Sequence, residues 1–176
     1  MRVMGDIPRL NARRYPGKKA LIMGDNSMTF KQLNNSANRL ANGLISSGIR
    51  SGDKVAIMAQ NCMEFPVIVY AVAKCGAVLV PINFRYEKKE LIYVAENSDP
   101  KMLFFGAENG SLILDAANDF DKYIKIIAIS ENGPSKGLSL KSLMKEQSEI
   151  EPAVIVNPDS AAMIMYTSGT TGFPSL

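Results

Sequence analysis

The chain has 176 residues, 47% of them apolar and 21% charged, with a net charge of +3. That is a soluble globular composition with length for one domain and a real core, and its scattered positive charge argues against nucleic acid. Histidine is absent, which excludes Ser-His-Asp triads, histidine zinc sites and histidine general bases within the chain.

Asp6 is placed to cap a short basic helix with Pro8 in its first turn, ending near Tyr15, Pro16 and Gly17. The cations around it (Arg9, Arg13, Arg14, Lys18, Lys19) read as a solvated face rather than a transit peptide, since Asp6 interrupts them and no serine precedes Ser27. Residues 20–23 and 28–30 predict two short strands about the turn Gly24-Asp25-Asn26-Ser27. Thr29-Phe30-Lys31-Gln32 is a capping box. Behind it Leu33, Ala37, Leu40, Ala41 and Leu44 recur at helical spacing, and Gly48 closes the helix.

Residues 55–59 predict a buried strand, after which Asn61 with Glu64 opens an apolar helix through Lys74. The stretch FPVIVYAVAKCGAVLVPINF (residues 65–84) raises a membrane span as an alternative. A lysine near the centre of a span costs roughly 2.5–3.5 kcal/mol, and Pro66, Gly76 and Pro81 break the pattern. A buried helix followed by a buried strand over 78–82 fits better, so no membrane span is expected. Cys62 and Cys75 would lie about 220° apart on one helix and could not bridge there. Both read as reduced core residues of a cytoplasmic protein.

Further along, the spacing predicts a helix over 85–97 with Leu91, Val94 and Ala95 inward. Strands follow over 102–105 and 124–129, separated by a helix around 112–117. A polar loop over 130–139 and a short helix over 140–147 precede the alanine-rich residues 161–166, which predict the last strand. Strands alternating with helices mean an α/β fold with a mostly parallel sheet flanked by helices.

The last strand leads into Thr167, Ser168, Gly169, Thr170, Thr171 and Gly172. In open α/β sheets ligands collect beyond the carboxyl ends of strands. Gly169 and Gly172 permit positive φ, so successive N–H groups could turn toward one anion while four hydroxyls add donors. On composition alone a Gly/Ser/Thr terminus that binds nothing fits as well. A Walker loop is excluded, because two residues rather than four separate the glycines and no lysine follows. The dinucleotide fingerprint Gly-x-Gly-x-x-Gly is absent too.

The string YTSGTTGFP (residues 166–174) resembles the phosphate-binding signature of the AMP-forming acyl-CoA synthetases and related adenylate-forming enzymes. MTFKQLNNSANRLANGL (residues 28–44) and AVAKCGAVLVPINFRY (residues 71–86) resemble the family's first two conserved segments, in the expected order. NARRYPGKKALI fits its usual opening. PINFRYEKKELIYVAENSDPKMLFF (residues 81–105) is most similar to fatty-acid CoA ligases.

The resemblance implies an acid–thiol ligase that turns a carboxylic acid, ATP and coenzyme A into acyl-CoA, AMP and pyrophosphate, with Mg²⁺ at the phosphates. It implies that Thr167, Ser168, Gly169, Thr170, Thr171 and Gly172 cradle the β- and γ-phosphates. No catalytic residue and no metal ligand is assigned within the chain. Two departures stand out. Ser175 follows Pro174 where the family places a lysine, which removes a mobile point charge for phosphate. Family members also run to several hundred residues. Residues 1–176 are therefore expected to be an incomplete N-terminal subdomain, the first part of the N-terminal domain, ending just after the phosphate-binding loop and inactive alone. The alternative is a stand-alone or split binding module that pairs with a separate chain. An apolar helix over 65–73 and an unpaired sheet edge near 161–166 would favour a homo-oligomer.

Overall fold

Thr29 ends one hairpin and starts the longest helix, and the capping box read in the sequence is what makes that junction. Its Oγ1 accepts from Gln32 N at 3.2 Å, while the Gln32 Oε1 accepts from Thr29 N at 2.8 Å. Two of the helix's orphan donors are thereby satisfied, an arrangement worth about 1 kcal/mol. The computed structural model describes residues 3–120, 123–130 and 138–166. They belong to two units: Met1–Gly52, Asn61–Ala77 and Ser142–Ala162 form the first, and Asp53–Gln60, Val78–Lys141 and Met163–Leu176 the second.

The first unit contains α1 (Asp6–Arg14), the antiparallel hairpin β1 (Lys19–Met23) and β2 (Asn26–Thr29), α2 (Phe30–Ser46) and α3 (Glu64–Lys74). Leu33, Ala37, Leu40, Ala41 and Leu44, the predicted stripe, are all buried on α2, which packs against α3 and α1. Gly48, at φ +99°, supplies the left-handed residue just past the helix end. Two predicted caps are corrected. Asp6 is the first helical residue rather than the cap, and its carboxylate pairs with Arg9 one turn on. Asn61 does not cap α3, which starts at Glu64 after Met63 with no side-chain cap bond.

The other face of α2 is polar, and it holds an irregular stretch of chain. Asn42 Nδ2 donates to the carbonyls of Ser148 (2.9 Å) and Ile150 (3.0 Å), and Asn38 Nδ2 to that of Glu149 (2.7 Å). Asn35 Nδ2 and Arg39 donate to the Glu149 carboxylate at 2.6 and 2.7 Å. Positions 35, 38, 39 and 42 share one helix face, so side-chain amides satisfy carbonyls that no strand partner satisfies.

The second unit is built on a four-stranded, all-parallel sheet. Its strands are β3 (Lys54–Met58), β4 (Val78–Ile82), β5 (Met102–Phe105) and β6 (Lys125–Ala128), in the order β4-β3-β5-β6. All four residues of β5 are buried, as a strand covered on both faces must be. One face carries a core of Ala56, Met58, Val80, Leu103 and Phe105 against Leu91, Val94 and Ala95 of α4 (Lys88–Ser98) and Ile113 and Ala116 of α5 (Gly110–Ala116). α4 starts three residues later than the sequence predicts. Asn83 Oδ1 accepts from Arg85 N at 3.0 Å in a side-chain turn, and Glu87 caps the helix with Glu90 in a reciprocal box. A short α6 (Leu140–Met144) ends earlier than the predicted 140–147.

Among the described residues, no helix is long and apolar enough to cross a membrane. The apolar run is split as predicted, into α3 and β4.

Candidate functional site

Parallel strands leave all their carboxyl ends at one edge of the sheet, and the loops that start there are tied to one another. After β3, Gln60 N donates to Glu108 Oε1 at 2.6 Å, and after β4, the Phe84 carbonyl accepts from Asn109 Nδ2 at 2.8 Å. Glu108 and Asn109 belong to the turn that follows β5. Gly106 makes room for this: a Cβ there would lie 2.5 Å from the Glu108 carboxylate. The result is a rim of fixed polar groups where an α/β sheet receives ligands.

The predicted last strand, residues 161–166, is corrected to a single parallel bridge. Met163 pairs with Leu79 of β4, and Ile164 N donates to the Leu79 carbonyl at 2.9 Å. At that point the segment runs in the same direction as β4. Ala161 and Ala162 are exposed and lack side chains large enough to anchor a longer ladder. From Ile164 onward the alternation of a strand returns. Ile164 and Tyr166 pack against the core of the second unit, and Met165 between them is 66% exposed.

Tyr166 closes this stem. Its hydroxyl donates to Asn97 Oδ1 at 2.6 Å, near the carboxyl end of α4. Burial raises the pKa of the phenol above its ordinary value, with the Ser98 hydroxyl opposing and Tyr93 adding to the shift. At neutral pH the group is therefore a neutral donor. Thr167, Ser168, Gly169, Thr170, Thr171 and Gly172, the predicted phosphate cradle, lie outside the described residues, as do Pro174 and Ser175. The described chain thus reaches the residue next to the predicted site, held by the main-chain bond of Ile164 and the side-chain bond of Tyr166.

Sequence reasoning singled out neither Asn97 nor Leu79. Asn97 sits among Glu96, Ser98 and Asp99, a polar helix end with no mark to separate one residue from the next. Among the described residues no group of three histidine, cysteine or carboxylate side chains could hold a metal ion. The cysteines are unpaired, Cys75 buried and Cys62 half-buried.

Residues 9–175 match the family model described as AMP-binding enzyme. A medium/long-chain-fatty-acid–CoA/3-oxocholest-4-en-26-oate–CoA ligase of Mycobacterium marinum is 33% identical over 168 residues, 90% of this chain and 30% of that protein. The structure of the anthranilate CoA ligase AuaEII, in complex with anthranoyl-AMP, superposes with a TM-score of 0.91 at 29% identity. The match covers 98% of this chain and 33% of that one. The N-terminal domain of FACL13 from Mycobacterium tuberculosis superposes with a TM-score of 0.86 at 34% identity, over 99% of this chain and 43% of that chain. The chain spans less than a third of the M. marinum ligase.

Proposed function

Because the chain belongs to the AMP-binding enzyme family, we propose that it is the part of an acyl-CoA ligase that carries the phosphate-binding loop. In the complete reaction a carboxylate oxygen bonds to the α-phosphorus of ATP while the bond to pyrophosphate breaks. Coenzyme A sulfur then bonds to the acyl carbon, and AMP leaves. The substrate class is a medium- or long-chain fatty acid, as in the name of the M. marinum relative.

In this reading the N–H groups and hydroxyls of Thr167, Ser168, Gly169, Thr170, Thr171 and Gly172 bind the β- and γ-phosphates. Preorganised donors of that kind stabilise charge that develops on the leaving group. Mg²⁺ bound with ATP would neutralise the same charge. The family match running through residue 175, and so across the whole loop, is the observation that carries the proposal. The two unpaired cysteines are in keeping with a cytoplasmic enzyme.

This chain alone binds Mg-ATP weakly. Four charge-assisted hydrogen bonds at roughly 1.5–3 kcal/mol each are offset by the loss of translational and rotational freedom on association, about 4–15 kcal/mol. Ser175 supplies no cation in place of the family's lysine. NMR titration with Mg-ATP tests the assignment. Shifts at residues 167–172 with a dissociation constant in the millimolar range, lost in Gly169→Val, support it. Unmoved signals at those residues, or equal shifts in Gly169→Val, contradict it.

A further inference from the structure

The stem that enters the predicted loop is held at its last described residue by a contact no motif reading uses. The Tyr166 hydroxyl donates to Asn97 Oδ1 at 2.6 Å, across 69 positions of sequence. Two residues earlier, Ile164 N donates to the Leu79 carbonyl at 2.9 Å. Both anchors lie in the second unit, one on α4 and one on β4. Between them Met165 is solvent-facing, and the bridge at Met163 is isolated. This segment therefore has no continuous ladder to hold it, and the two bonds, the Ser98 hydroxyl beside the phenol and the packing of Ile164 and Tyr166 hold it instead.

We propose that Tyr166 is a positioning residue for the phosphate loop: its hydroxyl, bound to Asn97, fixes where the chain leaves the sheet and enters residue 167. The inference rests on the function proposed above for the loop and assigns a role to two residues outside it. The physical reason is the direction of the chain. A residue adjoining a cradle of N–H groups sets their starting direction, and small misplacements of donors cost much of an electrostatic site's strength. Tyrosine suits the task because its ring anchors in the core while the hydroxyl reaches the polar end of a helix. Phenylalanine would keep the anchor and lose the pin. Asn97 is the matching half, because its amide oxygen accepts and an aspartate in its place would still accept.

Tyr166→Phe, Asn97→Ala, Asn97→Asp and the double variant Tyr166→Phe/Asn97→Ala separate this from a general loss of stability. Amide hydrogen exchange at Ile164 reads the stem, with Leu103 in β5 as the internal reference, and NMR titration with Mg-ATP reads the loop. A single net hydrogen bond corresponds to a two- to tenfold effect, roughly. The expected result is faster exchange at Ile164 and weaker Mg-ATP binding by about that factor in Tyr166→Phe and in Asn97→Ala, with Leu103 unchanged. The double variant should be no worse than either single one, and Asn97→Asp should stay near the parent.

Unchanged exchange at Ile164 in both single variants, or strictly additive effects in the double, would overturn the proposal. So would exchange at Ile164 that is already unprotected in the parent. Faster exchange with unchanged Mg-ATP affinity would overturn the positioning role as well. Should the parent bind no Mg-ATP while exchange still responds in both single variants, the pin stands and the loop's proposed function fails.

Discussion

Lys74 Nζ lies 2.6 Å from Glu151 Oε2, 77 residues downstream, and 3.1 Å from Asn34 Oδ1. The lysine side chain is only 3% exposed, and its carboxylate partner is 35% exposed. The pair joins α3 to the stretch that α2 holds by its asparagines. Removing Glu151 would leave a buried ammonium with one neutral acceptor. Loss of one partner of a fully buried pair costs roughly 3–5 kcal/mol, and the partial exposure here lowers that. Glu151→Ala should therefore destabilise by about 1–3 kcal/mol in urea denaturation. A change under about 0.3 kcal/mol would mean the ion pair contributes nothing.

The same lysine gives a pH signature. Burial pushes the Lys74 ammonium below its ordinary 10.5, and Glu151 pulls part of the way back, with Arg9 lowering and Asp6 raising it further. A folded pKa below the unfolded one means the unfolded chain binds more protons between the two values. Stability contributed by this group then rises with pH across that window and falls as pH drops through the folded pKa. Stability measured between pH 8 and pH 10.5 should rise more steeply in the parent than in Lys74→Met. Identical slopes would show that the buried lysine has an ordinary pKa.

Gly43 on α2 should reverse the usual helix rule. Glycine to alanine inside a helix normally stabilises by about 0.5–1 kcal/mol. Here a Cβ would lie 2.1 Å from the Leu143 carbonyl oxygen, a main-chain atom with little room to move. Gly43→Ala is expected to destabilise by roughly 1–3 kcal/mol, as overpacking does. Gly17→Ala, where a Cβ meets nothing within 4 Å, is the control. Equal melting temperatures for the two variants would contradict the close approach.

Much of this architecture was legible because local signals and burial agree. The stripe from Leu33 to Leu44 is both the sequence period and the buried face of α2, and the strands at 78–82 and 102–105 fall where the apolar runs place them. What was not legible depends on partners distant in sequence. Nothing local marks Asn35, Asn38 and Asn42, whose bonds depend on residues 148–151 lying across them. The pin between Tyr166 and Asn97 leaves no local trace either. Residues 161–166 misled for the opposite reason: they are apolar throughout, as a buried strand would be, but Ala161 and Ala162 are too small to anchor a ladder and only Met163 has a bridging partner in β4. The string at 166–174 was legible as a family motif, and residues 167–174 lie outside the described residues.

The cysteines should differ sharply in reactivity. Burial pushes the Cys75 thiol up to about 12, and its Sγ sits 3.4 Å from the Ala41 carbonyl. Cys62 is half-buried and its pKa is raised first by burial, against a backbone hydrogen bond from Phe65 that lowers it. Thiolate is the reactive form. At pH 8 the native chain should release about one equivalent of chromophore from an aromatic disulfide reagent, slowly and from Cys62. A second equivalent should appear only in denaturant. Two equivalents from the native chain would contradict the burial of Cys75.

Self-association is expected on different grounds from those the sequence suggested. Val67, Ile68, Ala71 and Val72 of α3 are buried within the chain, which leaves Phe65, Val69 and Tyr70 half-buried on that helix. Ile22, Ile155 and Met165 are instead 69%, 98% and 66% exposed. Light scattering at high micromolar concentration should show species larger than the monomer. A clean monomer would count against it.

Carboxylate-dependent ATP–pyrophosphate exchange by the isolated chain, with a panel of medium- and long-chain fatty acids and Mg²⁺, tests the account most directly. If, as proposed, the chain supplies the phosphate loop without the rest of an adenylating site, it should give no exchange above a control without protein. Clear, saturable, carboxylate-dependent exchange, lost in Gly169→Val, would contradict the account and show that these 176 residues hold a complete adenylating site.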